Sequence, residues 1–298
     1  MRNERLTARP EFYRGHGLGN DYLVFEGGDR AGGGWKVTPY AVRRVCDRWR
    51  GLGGDGIVVL LDRAPEDGVF PLRMFNPDGS EFERSGNGLR VLASHLHRAK
   101  LVGTERFQVR SGGSVIPMTV HGLPNPGRYD ISVDMGRAVV GGDAVGLRIE
   151  ALDKEGRVPH PSRGPVTFVP VSVGNPHAVV FPSGPSDELL AELGPFLATH
   201  PAFPEGTNVQ LAEVSGPDRI RIRIWERGVG RTSASGTSSC AAAVAAVSSG
   251  QLDPGTIFVE MEGGVLQVTV DRALGVILRG PVEEVAEGHL TPGFLMSL

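Results

Sequence analysis

The stretch RSGNGLR, residues 84–90, places a serine and Gly-Asn-Gly directly before a run typical of a helix. A second stretch, ASGTSSC at 234–240, has the same form and precedes an alanine-rich helical run. Taken singly, each is explained by an N-cap, because serine and asparagine favour helix starts. The first N–H groups of a helix also lack internal partners and attract anions. Because the pattern occurs twice, we expect two helix starts that converge on one small acid.

Other segments repeat around these two stretches. LGNDYLVF at 18–25 matches VGNPHAVVF at 173–181, and GGDGIVVL at 53–60 matches EGTNVQLA at 205–212. Each second copy follows the first by about half the chain, and the copies keep the same order. Asn76 and Glu226 also precede the two serines at equal spacing. The repeat predicts a duplicated domain with pseudo-two-fold symmetry.

Strand-length apolar runs separated by turn signals dominate the chain, and helices are few. We predict strands at 21–25, 56–61, 107–110, 129–135, 166–173, 177–181, 219–225, 257–261, 265–270 and 275–280. We predict helices at 39–50, 87–99, 186–196 and 237–248, and loops at 121–130 and 162–166. RIRIRIW at 219–225 alternates strictly, which indicates a strand with one solvated face. The pattern is α+β, with expected domains at 1–134 and 135–280 and residues 281–298 returning to the first.

Composition narrows the class of protein. The chain has 298 residues, a net charge of −3, and 40% hydrophobic residues, typical of a globular protein with a sizeable core. Without a basic excess or an apolar run of membrane-spanning length, we expect neither nucleic-acid nor membrane binding. The start MRNERLTARPEF lacks the apolar segment of a secretory signal. Cys46 and Cys240 suggest buried free thiols rather than a disulfide framework, and we expect a cytoplasmic protein.

Short motifs that could indicate a dinucleotide-binding site, a metal site or a serine hydrolase are incomplete in this chain. GLGGDG at 51–56 fits a dinucleotide-binding pattern, but a predicted helix precedes it and a strand follows, which is the reverse of the required order. His95 and His97 are an insufficient set of metal ligands, so we expect no metal. A serine hydrolase remains a weak alternative, because the G-x-S-x-G signature is absent.

Six segments in order resemble the diaminopimelate epimerase family over nearly the whole chain. They are GLGNDYLVF, GGDGIVVL, FNPDGSEFERSGNGLR, VGNPHAVVF, FPEGTNVQL and WERGVGRTSASGTSSCAAA. The resemblance implies two similar domains, each a mixed sheet wrapped around a central helix, with the site between them. It implies a cofactor-independent epimerase that interconverts LL- and meso-diaminopimelate, a step toward lysine and cell-wall precursors. It also implies a homodimer.

The family uses a pair of cysteines, one removing the α-proton and one returning a proton from the opposite face. This chain has Ser85 and Ser235 at those catalytic positions, and Cys240 lies too far along its helix to replace Ser235. A second departure is Arg231, where the family usually has glutamate. We expect that arginine to make the surroundings of the second turn more positive.

The remaining site residues follow from the resemblance. It assigns the substrate's polar groups to Asn20, Asn76, Asn175 and Asn208, and the distal ammonium and carboxylate to Glu226 and Arg227. It assigns the carboxylate at the reacting centre to the backbone of Gly86, Asn87, Gly236 and Thr237. His177 and Glu226 occupy positions that tune the pKa of the catalytic pair.

Serine is a poor substitute for a cysteine base. A helix start contributes at most about 2 kcal/mol, or roughly 1.5 pKa units, which falls far short of what an alcohol needs. A serine therefore requires a partner base, and His177 is the local candidate. Three accounts remain open: an epimerase changed from Cys to Ser at both positions, a natural amino-acid binding or regulatory module, or an enzyme working with serines or another acid–base pair.

Overall fold

The computed structural model describes residues 12–27, 30–31 and 34–298. The strands are β1 Phe12–Gly17, β2 Asn20–Glu26, β3 Arg30–Ala31, β4 Trp35–Lys36, β5 Gly56–Leu60, β6 Val69–Phe75, β7 Glu81–Phe82, β8 Phe107–Ser111, β9 Ser114–Asn125, β10 Arg128–Arg137, β11 Val139–Val140, β12 Val169–Ser172, β13 Pro176–Val180, β14 Asn208–Gly216, β15 Arg219–Glu226, β16 Gly230–Thr232, β17 Gly255–Met261, β18 Gly264–Val270 and β19 Gly275–Gly288. The helices are α1 Pro39–Cys46, α2 Gly86–Arg98, α3 Asp187–Ala198, α4 Gly236–Ser248 and α5 Pro292–Leu295. The N-terminal stretch considered above as a secretory signal lies outside the described residues, apart from Phe12.

The chain divides into two compact units. Unit 1 contains the described residues up to Val133 together with Pro281–Leu298, and unit 2 is the continuous segment Asp134–Gly280. The boundary between Val133 and Asp134 falls within β10, and the boundary between Gly280 and Pro281 falls within β19. In unit 1, β19 pairs with β1, so Phe12 lies opposite Gly288.

The two units have the same strand pairing. In unit 1, β2 and β5 are parallel, β5 and β6 antiparallel, β6 and β8 parallel, and β8 and β9 antiparallel. In unit 2, β13 and β14, β14 and β15, β15 and β17, and β17 and β18 repeat those four pairings with the same directions. This shared topology confirms the duplication that the sequence repeat predicts.

One buried helix lies at the centre of each unit. Helix α2 packs against β1, β2, β5 and β9, and its residues Leu89, Leu92 and Leu96 are fully buried. Helix α4 packs against the equivalent strands of unit 2, and nearly all of it from Gly236 to Ala246 is buried. A helix that is apolar all round can only be stable inside a core, as the alanine-rich sequence of α4 requires. The expected α+β fold, with sheets wrapped around central helices, is confirmed.

Most predicted elements occur where expected, with a few exceptions. The loop predicted at 121–130 is wrong: β9 and β10 continue through it as a hairpin around Pro126 and Gly127, where Gly127 has a φ of +74°. A residue with positive φ makes a tight turn possible without a long loop. The strand predicted at 166–173 is shorter, and Val166 instead forms an isolated bridge with Val158.

The first helix ends earlier than the predicted residue 50. Helix α1 stops at Cys46 because Asp47 adopts an extended conformation. Its carboxylate accepts hydrogen bonds from the backbone N–H groups of Trp49 and Arg50, both at 2.8 Å. This local turn competes with helical hydrogen bonding, a usual property of aspartate. Among the described residues, no helix is both long and apolar enough to cross a membrane.

Candidate active site

Each unit has one of the two predicted serines at the start of its central helix. We call the surroundings of Ser85 at the start of α2 half-site 1, and those of Ser235 at the start of α4 half-site 2. Both serines have extended backbone and cap their helices. Ser85 Oγ accepts from the Gly88 N–H at 3.1 Å, and Ser235 Oγ from the Ser238 N–H at 3.4 Å. The N-cap interpretation is therefore correct for both, and it leaves each hydroxyl proton available to donate.

In half-site 1, two of the predicted asparagines are joined by a hydrogen bond. Asn87 Nδ2 donates to Asn20 Oδ1 at 2.9 Å, and Asn20 Nδ2 donates to Asp55 Oδ2 at 3.1 Å. Asp55 is itself held by Arg48, whose Nη2 lies 2.6 Å from the other carboxylate oxygen. The amides of Asn20 and Asn87 are thus fixed in orientation before any ligand arrives.

Asn76 is not part of this chain of amides. It follows β6, and its Nδ2 donates to Ser80 Oγ at 2.9 Å. Ser80 in turn donates to Asp78 Oδ1 at 2.6 Å. The side chain of Asn76 therefore stabilises its own turn.

Arg90 is a buried site residue that the sequence did not reveal. Its side chain is fully buried beneath the start of α2, where Nε donates to Gly86 O and Nη1 to Pro281 O, both at 3.1 Å. Its Nη2 donates to Asn87 Oδ1. A Cβ on Gly17 would lie 2.8 Å from Nη2, so a glycine there makes room for the guanidinium. Nothing in the local pattern distinguishes such an arginine from an exposed one.

In half-site 2, the predicted residues form two connected groups. His177 Nε2 lies 2.9 Å from Asn175 Oδ1, and its Nδ1 lies 3.1 Å from Gln210 Nε2. Asn208 donates through Nδ2 to Pro176 O and accepts the Arg227 N–H at Oδ1, both at 3.0 Å. Gln210 is a second site residue that the sequence analysis did not identify, although its segment was matched in the repeat.

The two charged residues predicted to hold a distal group lie together at the end of β15. Glu226 is half-buried and is the last residue of that strand. Arg227 is exposed, and its Nη1 donates to Glu205 O at 2.8 Å. The backbone of Gly236 and Thr237 forms the first turn of α4 beside Ser235.

His177 does not act as a base for Ser235. Both ring nitrogens are already occupied by Asn175 and Gln210, and the ring is fully buried. The pKa of His177 is lowered to about 3, chiefly by burial and also by the positive charge of Arg227, and the Gln210 hydrogen bond only partly opposes this shift. The ring is neutral near pH 7, and a Ser–His relay at this position has no free nitrogen to use.

Arg231, which we expect to make the second turn more positive, is held by two ion pairs. Its Nη2 lies 3.0 Å from both Asp187 Oδ2 and Glu262 Oε2, so two carboxylates balance its charge. Neither Cys46 nor Cys240 forms a disulfide, both are buried, and burial raises the pKa of Cys46 to about 12. Within the described ranges, no group of three His, Cys, Asp or Glu side chains could hold a metal ion.

A model of the family described as diaminopimelate epimerase matches residues 12–141 and 169–285, which include both half-sites. The chain belongs to the diaminopimelate epimerase family. It is 40% identical to a protein named diaminopimelate epimerase from Desulforudis audaxviator over 280 residues, covering 93% of this chain and 98% of that protein. It is 35% identical over 294 residues to one of the same name from Synechococcus elongatus, covering 94% and 98%.

More distant members of this fold are known from solved structures. A predicted epimerase from Pseudomonas aeruginosa superimposes with a TM-score of 0.67 at 18% identity, covering 95% of this chain and 99% of that one. A hydroxyproline epimerase from Agrobacterium vitis gives a TM-score of 0.66 at 15% identity, covering 96% and 93%. At these low identities the likeness shows only that this chain shares its fold with the two proteins.

Proposed function

We propose that the chain is a cofactor-independent isomerase that interconverts LL- and meso-diaminopimelate by moving the α-proton. Supporting this is its membership of the diaminopimelate epimerase family, together with one structural observation. Ser85 and Ser235 cap equivalent helices, one in each duplicated unit, and the resemblance places the family's two catalytic cysteines at these positions. A two-base proton transfer needs two such groups, one for each face of the α-carbon.

The proposed binding mode uses both half-sites. The N–H groups at Gly86–Asn87 and Gly236–Thr237 would bind the carboxylate at the reacting centre, since helix starts attract anions. Asn20, Asn76, Asn175 and Asn208 would hold the substrate's polar groups. Glu226 and Arg227 would hold the distal ammonium and carboxylate, which are opposite in charge to them.

The two hydroxyls make the proposed reaction slow. A cysteine near pKa 8.5 becomes a working thiolate at a helix start, whereas the same field acting on an alcohol leaves it protonated. The neighbouring His177 supplies no free nitrogen as a base. A second candidate function is therefore an amino-acid binding or regulatory module, which retains the asparagines and the helix starts without fast turnover.

Titration calorimetry with LL-diaminopimelate tests the binding that both functions share. We expect saturable binding by the unmodified protein and a loss of about tenfold or more in Asn175→Ala, the approximate value of one charge-assisted hydrogen bond. Asn125→Ala, at the exposed end of β9, is the matched control and should bind normally. Absence of saturation at millimolar ligand would reject both functions.

Exchange of the α-hydrogen in D₂O separates the two functions. Slow exchange that exceeds the rate without protein, and that Ser85→Ala abolishes, supports the isomerase. Binding without any exchange supports the binding module. We also propose a cytoplasmic location, since neither buried cysteine is in a disulfide, and a homodimer, as the family resemblance implies. Light scattering that gives the mass of one chain would contradict the dimer.

A further inference from the structure

Gln210 joins three parts of half-site 2 through one side chain. It lies on β14 with no exposed surface. Its Nε2 is 3.1 Å from His177 Nδ1 and 3.0 Å from Ser238 Oγ, and Ser238 is the residue whose N–H donates to the capping hydroxyl of Ser235. The amide therefore connects the start of α4 to the histidine on β13.

The direction of these hydrogen bonds determines where His177 carries its proton. An amide nitrogen can only donate, so Nδ1 must accept and is unprotonated. A neutral ring then has its hydrogen on Nε2, which lies 2.9 Å from Asn175 Oδ1 and donates to it. Asn175 Oδ1 is thereby occupied as an acceptor, and its Nδ2 has no protein partner among the described residues.

The opposite arrangement is also self-consistent, and it has the opposite consequence. If the Gln210 amide were reversed, Oε1 would face His177, the proton would move to Nδ1, and Nε2 would require a donor. Asn175 would then have to turn its Nδ2 inward and present its oxygen outward. The orientation of one buried amide thus selects whether Asn175 offers a donor or an acceptor.

The one unpaired atom of the Gln210 amide favours the first arrangement, in which Nε2 faces His177. Gln210 Oε1 is buried without a hydrogen-bond partner. Reversal would place the NH₂ group in that position instead, and a buried unpaired donor is rarer in proteins than a carbonyl lacking a partner. The structure therefore keeps the amide with its donors toward His177 and Ser238.

We propose that Gln210 is a positioning residue that fixes the Nε2–H tautomer of His177 and makes Asn175 present its N–H groups to the ligand. The part that concerns the ligand rests on the proposed function, which places Asn175 against the substrate. The chemical group that such a donor recognises is an anionic or carbonyl oxygen, such as a carboxylate of the amino acid. Gln210 would thus contribute to selectivity without touching the ligand.

Nitrogen NMR of the unmodified protein with ¹⁵N-labelled histidine tests the tautomer directly. The His177 signals are identified by their loss in His177→Asn. We expect a protonated Nε2 and an unprotonated Nδ1, with no titration of this ring from pH 8 to pH 5. A protonated Nδ1 in the unmodified protein would overturn the proposal, whatever the ligand does.

Two variants test whether Gln210 is the cause. Gln210→Glu keeps the shape but supplies only acceptors when ionised, so we expect Nδ1 to gain a proton and the Kd for LL-diaminopimelate to rise about tenfold. Gln267→Glu, on β18, is the matched control and should change neither. A Gln210→Glu protein that keeps its tautomer would also overturn the proposal. An Nε2–H tautomer in a protein that binds no diaminopimelate would reject the proposed function and still support the assignment of the Gln210 amide.

Discussion

Tyr22 and His177 occupy the same position in the two units. Tyr22 lies opposite Gly56 across β2 and β5, and His177 lies opposite Asn208 across the equivalent strands β13 and β14. In unit 1 an aromatic ring covers the sheet, and in unit 2 a polar network does. The duplicated fold therefore surrounds its two serines with different chemistry.

Gly56→Ala tests the space that Tyr22 requires. An added Cβ would lie 2.4 Å from the Tyr22 ring and 2.9 Å from the backbone oxygen of Phe75, and the backbone cannot easily move. We expect the free energy of unfolding to fall by about 1–3 kcal/mol. Urea denaturation measures it, with Gly103→Ala as the control because no atom lies within 4 Å of its added Cβ. An unchanged midpoint for Gly56→Ala would contradict the packing described.

Restoring thiols at both helix starts should increase the proposed activity. In Ser85→Cys combined with Ser235→Cys, each helix start acts on a thiol whose ordinary pKa of about 8.5 it can lower to a working value. We expect α-hydrogen exchange in D₂O to rise by about 10²–10⁴-fold, the usual contribution of acid–base catalysis. Ser249→Cys, at the far end of α4, should have no effect. No gain in the double variant would show that the site differs in more than its two hydroxyls.

Arg90→Lys tests the fork of hydrogen bonds beneath α2. Lysine keeps the charge but cannot reach Gly86 O, Asn87 Oδ1 and Pro281 O together. We expect a loss of about 2–4 kcal/mol in the free energy of unfolding, since buried acceptors lose their donors. Arg98→Lys, a partly exposed residue of the same helix, should cost less than about 1 kcal/mol. Equal effects of the two substitutions would rule out a special role for Arg90.

Glu26 links the end of β2 to α2 and makes the free energy of unfolding depend on pH. Burial opposes ionisation of its carboxyl, but hydrogen bonds from His95 and Arg63 prevail and lower its pKa from 4.5 to about 2. Because the folded pKa is the lower one, this stabilisation is complete above pH 4.5 and is lost as the pH falls toward 2.

Glu26→Gln should therefore flatten the fall of unfolding free energy between pH 4.5 and pH 2. Guanidinium denaturation at several pH values measures the slope. Glu66→Gln changes an exposed carboxylate and should leave the slope as it is. If the unfolding free energy of Glu26→Gln still fell steeply between pH 4.5 and pH 2, other groups would be responsible for the acid sensitivity.

The sequence predicted the architecture well because local patterns, such as alternation and helical spacing, determine most of the strands and helices. Alternating residues in RIRIRIW produce β15, in which Ile220, Ile222 and Ile224 are buried and Arg221 is exposed. The repeat predicted the duplication because the matching motifs of the two halves keep the same order and nearly the same spacing. The early end of α1 at Cys46 was not predicted, since it depends on the side chain of Asp47 accepting two backbone hydrogen bonds.

The supporting residues of the site could not be predicted in the same way. Asp55 and Gln210 act through hydrogen bonds to residues distant in sequence, and Arg90 bonds both to its own helix turn and to the distant Pro281. No spacing rule identifies the distant partners. In the segment 51–56 the glycines form the recognisable pattern, whereas the residue that holds Asn20 is Asp55. The serine hydroxyls were correctly placed as caps because capping is a local interaction.

The return of residues from Pro281 onward to unit 1 has a consequence for biosynthesis. Unit 2 is one continuous stretch, whereas β1 lacks its partner strand β19 until the ribosome has passed Gly288. Nascent chains usually fold from the N-terminus as each domain emerges. Here β19 also completes unit 2 by pairing with β18, so both units should close together once this strand emerges, rather than one after the other.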